Sequence, residues 1–280
     1  MTKPGTLYLC PTPIGNLEDM TFRSIRMLKE AAVIAAEDTR HTRKLLSYFD
    51  IHTPLISYHE HNKAERGPEL IARLLAGEDI ALVSDAGMPG ISDPGSDLVR
   101  LAIEADAGVT ALPGPNAALA ALVCSGLDTT AFTFIGFLPK TKKKRRELIA
   151  ALAAQPYTLV FYESPHRITS TLAELGAALG DRPAAAGREI SKIYEEFVRG
   201  TLSSVKTYFE DKQPRGEFTL VVAGTPGEDD ITEPAVFESS PAEAVSVLVA
   251  SGMDKKQAIK KVAQDRNLSK RDVYQSVIGS

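Results

Sequence analysis

Residues 80–95 read IALVSDAGMPGISDPG, and this stretch decides the fold. Ile80 to Val83 is a continuous apolar run, the pattern of a strand buried on both faces of a parallel sheet. It stops at Ser84 and Asp85, and Gly87, Pro89, Gly90, Pro94 and Gly95 break the chain before a helix begins near Ser96. A connection of about ten residues is longer than the roughly 2 to 6 usual between strand and helix, and ligands of open α/β sheets bind beyond the carboxyl ends of strands. The stretch therefore reads as a ligand loop. Its glycines let the backbone approach a bound molecule, and Asp85 can accept hydrogen bonds from a ribose or an amine. A long surface loop would use the same residues.

Strand and helix alternate on both sides of this stretch. Leu7 to Cys10 is a short strand followed by the turn Pro13-Ile14-Gly15, and Asp19 or Thr21 can cap the next helix. Val33 to Ala36 runs into Glu37-Asp38-Thr39-Arg40, where Asp38 is either a cap for the helix from Thr39 or a carboxylate facing the crevice of Asp85. Leu55 to Ser57 leads to His59 and His61, which lack a third ligand at a diagnostic spacing, so no metal is expected. Val109 to Leu112 leads through Pro113-Gly114-Pro115 to Asn116, an N-cap that leaves amide N–H groups facing the crevice. The alternation indicates a first α/β domain, residues 1–125, with a mostly parallel sheet.

A second α/β domain is expected over residues 126–225, with strands at Phe132 to Phe137, Thr158 to Tyr162, Ala184 to Arg188 and Gly216 to Gly224. Glu163 and Lys192 fall at or just beyond strand tips. Six of the seven residues from Lys140 to Arg146 are basic, enough positive potential to attract phosphates, although a charge run is ordinarily a solvated face. Residues 226–241 read as an acidic, proline-containing linker. Residues 242–280 read as three short helices, and Asp254 to Asp272 carries seven Lys/Arg against three Asp, as in small RNA-binding appendages or in packing modules.

The 280 residues, 44% hydrophobic and 24% charged with a net charge of -4, describe a globular protein that does not coat itself in nucleic acid over its whole surface. Cys10 and Cys124 are too few for a disulfide framework, and no signal-like or membrane-spanning apolar run is present. A cytoplasmic location is expected.

Eight motifs in order resemble the small-subunit ribosomal RNA methyltransferase I group of the tetrapyrrole methylase superfamily. They are LYLCPTPIGNLEDMT (7–21), AAEDTRHTRKLL (35–46), SYHEHN (57–62), ALVSDAGMPGISDPG (81–95), LPGPNA (112–117), GFLPK (136–140), FYESPHR (161–167) and GREISK (187–192). The resemblance implies two α/β domains of tetrapyrrole-methylase type with a cleft between them for S-adenosylmethionine, and a C-terminal helical module that contacts RNA. It implies methylation of a cytidine ribose 2'-hydroxyl in small-subunit rRNA by a homodimer. A net charge of -4 with only local basic patches leads to the expectation that the target is the assembled 30S subunit rather than arbitrary RNA, and no membrane association is expected. The cofactor is expected against Pro13, Ile14 and Gly15, against Ser84, Asp85, Gly87, Met88 and Ser92, and against Asn116, Ala117 and Tyr162. Asp38, Glu163 and Lys192 are the expected catalytic groups. Met88 and Ser191 depart from the group's usual threonines. The first loop holds a single Gly15, unlike the glycine-rich loop of the porphyrin and corrin enzymes, which weakens a tetrapyrrole substrate. A methylase of another substrate and a non-catalytic RNA-binding factor are the alternatives.

Overall fold

The computed structural model describes residues 3–210, 212, 214–225, 240–250, 253–265 and 268–278. They fall into two compact units, Met1–Thr225 and Pro226–Ser280. Most of the stretch read as a linker, residues 226–239, lies outside the described residues.

The first sheet holds β1 (Thr6–Leu9), β2 (Val33–Ala36), β3 (Leu55–Ser57), β4 (Ile80–Val83) and β5 (Gly108–Ala111) in the order β3-β2-β4-β1-β5. Every pairing is parallel. The apolar run at 80–83 is the central strand because both of its faces are covered. Ala81 and Val83 pack with Met27 and Leu28 of α1 (Phe22–Glu30) and Leu46 of α2 (Thr39–Tyr48). Ile80 and Leu82 pack on the other side with Leu70 and Leu74 of α3 (Lys63–Leu75) and Leu98 of α4 (Gly95–Glu104). Each such fully buried leucine contributes about 2 kcal/mol. The winding explains the division of helices. The chain steps from β1 outward to β3, then returns through β4 to β5, so right-handed crossovers place α1 and α2 on one face and α3 and α4 on the other. The direction reverses between β1 and β4, and the carboxyl ends of those strands open the crevice in which α/β proteins bind ligands.

The second sheet has the order β6-β7-β10-β8-β9, built from β6 (Phe132–Phe137), β7 (Thr158–Glu163), β8 (Pro183–Arg188), β9 (Glu196–Thr201) and β10 (Phe218–Val222). Only β6 and β7 pair in parallel. Its strand β9 and the following α8 (Leu202–Glu210) have no counterpart in the sequence reading: EFVRGT is a charged edge strand with no buried residue, so no apolar alternation announces it. One face carries α6 (Lys142–Leu152), α7 (Ile168–Leu179) and α8. The other receives α5 (Ala117–Ser125), whose Ala118, Ala121 and Leu122 pack on Val160 and Val221. The helix that closes the first half thus covers the second sheet, and residues 1–225 form one unit.

In the second unit, α9 (Pro241–Ala250), α10 (Lys255–Asp265) and α11 (Lys270–Ile278) enclose Val245, Leu248, Ile259, Val262 and Val273. Ser240 and Glu243 form a reciprocal capping box, and Ser269 caps α11 as its sequence position suggests. Among the described residues no helix is long and apolar enough to cross a membrane.

Candidate active site

The loop after β4 is held rigidly. Thr12 and Gly87 exchange backbone hydrogen bonds of 3.0 Å in each direction, and the Thr12 hydroxyl donates to the Ser84 carbonyl at 3.2 Å. The first and fourth strands are thereby stitched together beyond their ends. The Asp93 carboxylate accepts N–H bonds from Gly90 at 2.9 Å and Gly95 at 2.7 Å, folding residues 90–95 around itself. Gly87 has φ +79°, a conformation open to glycine at little cost.

Among the described residues, five other than glycine have positive φ, and they divide by location. Asp50 and Asp106 lie just past helix ends, the ordinary left-handed stop of α2 and α4. Ser92, Glu189 and Ser191, with φ of +66°, +50° and +70°, cap no helix end and surround the opening between the sheets. Strain at three such points is the kind that surrounding contacts maintain at a functional site. The Ser191 hydroxyl donates to Asp19 across the two halves, and Lys192 lies over Gly15, where an added Cβ would stand 2.2 Å from its Cγ.

Between these elements lies a cleft of about 360 Å³, within the roughly 300–1,000 Å³ of small-molecule sites. Ile14, Ser84, Asp85, Gly87, Met88 and Ser92 line one side. Asn116, Ala117, Tyr162, Glu163 and Lys192 line it from α5 and the second sheet. Pro13 and Gly15 are not among the lining residues; Gly15 serves as the seat of Lys192. Tyr162 is set by an edge contact with Phe134 and a tilted one with Phe137, at centroid distances of 5.1 and 5.6 Å. Burial raises its pKa above the usual tyrosine value.

Asp38 is also absent from the lining. Its Oδ1 accepts the N–H groups of Arg40 at 2.8 Å and His41 at 3.3 Å, so the carboxylate caps α2. The side chain of Arg40, with that backbone bond, holds its pKa below the usual range. The neighbouring Glu37, rather than Asp38, faces the cleft. Burial, then the charges of Asp85 and Asp93, push its pKa up. Asp93 is taken by loop amides and Glu217 by Lys192 at 3.0 Å, whereas Glu37 and Asp85 each accept one backbone N–H, Glu37 from Asp85 and Asp85 from Asp38. Glu37, its pKa raised despite that bond, is the candidate proton acceptor.

Glu163 lines the cleft but is fully engaged. Oε1 accepts the Ser164 N–H at 2.8 Å, Oε2 accepts the Thr171 hydroxyl at 2.7 Å, and the Arg167 guanidinium lies 3.4 Å from Oε2. Its side chain is 1% exposed. Replacing Glu163 by alanine leaves the buried Thr171 hydroxyl without its acceptor and Arg167 with only the Leu138 carbonyl, at about 3 kcal/mol of stability. Denaturant titration of Glu163→Ala checks this, and an unchanged midpoint would show the network to be dispensable. Lys192 donates to Glu189 at 2.8 Å and to Glu217. Burial opposes its charge, yet these two carboxylates outweigh burial and raise its pKa, so it acts as a fixed cation rather than a base.

The lining therefore holds five carboxylates, Glu37, Asp85, Asp93, Glu163 and Glu217, against one ammonium, Lys192. Such a cleft favours a cationic guest and repels phosphate. Residues 6–206 match the model of the tetrapyrrole (corrin/porphyrin) methylases. The chain belongs to this family. Within it, the methylase is 54% identical to a protein of Halalkalibacterium halodurans named ribosomal RNA small subunit methyltransferase I, over 96% of this chain and 93% of that one. It is 50% identical to the like-named protein of Bacillus subtilis, over 96% and 93%. Among solved structures, the uroporphyrin-III C-methyltransferase of Thermus thermophilus shares the fold with a TM-score of 0.56 at 21% identity, covering 78% of this chain and 94% of that one. The methyltransferase CobJ does so at 0.60 and 18%, covering 79% and 95%.

Proposed function

We propose that this methylase transfers a methyl group from S-adenosylmethionine to the 2'-hydroxyl of a cytidine in small-subunit rRNA. The observation that carries the cofactor is the acid-lined cleft at the reversal point of the first sheet, which suits a sulfonium bearing an ammonium. The uroporphyrin-III C-methyltransferase of Thermus thermophilus, alike in fold, has been solved in complex with S-adenyl homocysteine. The names of the relatives carry small-subunit rRNA as the substrate, and the eight-motif resemblance carries the cytidine 2'-hydroxyl. A porphyrin bearing many carboxylates fits poorly against five more.

The cofactor when bound supplies an electrophilic methyl group. The chain's own residues align the acceptor, with effective molarity as the large contribution. The loop amides and the amino end of α5 hold polar atoms, and Met88, Ile91 and Phe137 supply apolar walls. Glu37 takes the proton of the ribose hydroxyl at its carboxylate. The Lys192 ammonium stabilises the oxygen as negative charge develops. Methylation on the 30S subunit, a homodimer and a cytoplasmic setting belong to the same proposal. The exposed Lys255, Lys256, Lys260, Lys270 and Arg271 of the C-terminal unit give it a basic surface suited to rRNA.

Mass spectrometry of rRNA nucleosides from a strain lacking the protein is expected to show loss of one 2'-O-methylcytidine, restored by the wild-type gene. A lost base methyl, or none, would overturn the assignment.

A further inference from the structure

A cleft that repels phosphate cannot grip the backbone of its own substrate, so the strand carrying the target ribose must be held outside it. The two faces of the first sheet differ in the charge they offer for this. On the α3/α4 face every helix cation is paired. Lys63 meets Glu60 and Asp97 at 2.8 and 2.6 Å, Arg66 meets Glu69 at 2.6 Å, Arg73 meets Glu78 at 2.6 Å, and Arg100 meets Glu104 at 2.8 Å.

The α1/α2 face is different. Its helices carry Arg23, Arg26, Lys29, Arg40, Arg43 and Lys44, all exposed, against the single acid Glu30. Arg26 pairs with Glu30 at 3.1 Å, and Arg40 with Asp38 at 3.3 Å. Arg23, Lys29, Arg43 and Lys44 have no ion-pair partner among the described residues. The surface also presents two aromatic rings, Phe22 at 93% exposure and Tyr48 at 66%. Both helices follow strands whose carboxyl ends face the cleft: α2 starts two residues after the lining Glu37, and α1 eight residues after the lining Ile14.

The geometry points to the α1/α2 face as the docking surface for the phosphate backbone of the rRNA segment that delivers its ribose to the cleft. Unpaired cations attract phosphates by releasing counterions, and an exposed ring beside them can stack on an unpaired base. The acid lining then admits only the sugar. This surface is distinct from the basic run at 140–146, in which Arg145 is bound by both oxygens of Glu174 at 2.8 Å and by the carbonyls of Pro139 and Lys140. The inference rests on the rRNA assignment above.

The test replaces the four unpaired cations together, Arg23→Gln, Lys29→Gln, Arg43→Gln and Lys44→Gln, in the full-length protein. Binding to small ribosomal subunits from a strain lacking the enzyme is measured from low to high salt, beside S-adenosylmethionine affinity and thermal melting. The expected result is a loss of affinity of at least tenfold near physiological salt. The slope of log K against log salt should fall by about 3, since each lost phosphate contact removes roughly 0.7 to 0.9. KM for subunits should rise with kcat at saturation, cofactor affinity and melting unchanged. Unchanged affinity and slope, while the wild type binds subunits, would overturn the docking surface alone. A wild type that binds no subunits would overturn the rRNA assignment with it. Equal loss of binding to anionic phospholipid vesicles and none to subunits would assign the face to a membrane and also refute the proposal.

Discussion

Glu37→Gln is expected to lower kcat by about 10² to 10⁴, the usual contribution of a positioned base, while binding S-adenosylmethionine with near wild-type affinity. The amide keeps the size of the side chain and removes its proton affinity. The pH profile separates this role from a structural one. Activity needs the carboxylate ionised, and burial with Asp85 and Asp93 raises its pKa, so the wild-type rate should fall on acidification at a pH above the about 4.3 of an ordinary glutamate. That acid limb should vanish in the variant. A residual rate that keeps the limb would place the base elsewhere, and weakened cofactor binding with kcat intact would make Glu37 a ligand for the cofactor instead.

Gly87→Val should abolish measurable cofactor binding, a loss of at least a hundredfold. A Cβ at this position would stand 3.3 Å from Cγ2 of Ile14 and 3.6 Å from the Pro115 carbonyl, all in or beside the cleft wall. With φ at +79°, a non-glycine residue adds about 1 to 2 kcal/mol of backbone strain, more for a branched one. Relief of that strain breaks the two bonds to Thr12, so the loop departs from β1. Calorimetric titration with S-adenosylmethionine, on protein whose circular dichroism matches wild type, reads the effect. Unchanged affinity would remove this loop from the site.

The distinction between Glu37 and Asp38 shows where sequence reasoning stops. The apolar run at 80–83, the glycines after it and the caps Asn116 and Ser269 carry local signals, because strand burial and helix capping depend on a few neighbouring residues. Which of two adjacent acids points into a cleft depends on the direction in which β2 ends, and no spacing rule resolves that. The sequence assigns Asp38 a choice between cap and chemistry, and the structure gives it the cap. Glu163 is a different case. Its position at a strand tip is legible, but its saturation requires Ser164, Thr171 and Arg167 to converge after α7 docks. The role of Gly15 as a seat for Lys192 is equally invisible, since the two lie 177 positions apart in a numbering that runs from 15 to 192. The pairing asymmetry between the faces of the first sheet is partly legible as an acid-free helix at 39–48, and becomes decisive only when the winding puts α1 beside α2.

The two cysteines have a practical consequence. Cys10 sits in the core beneath α1 with no exposed surface, and burial pushes its thiol up to about 12. Thiolate is the reactive species, so alkylating reagents should pass it by while the native fold persists. Cys124 is exposed near the carboxyl end of α5, the helix whose first residues line the cleft. At 1.5 Å per residue, it stands about 12 Å along the helix from Asn116. The wild-type chain thus offers one addressable thiol, close enough for a fluorophore to register cofactor and substrate occupancy, and far enough along α5 to leave the chemistry undisturbed.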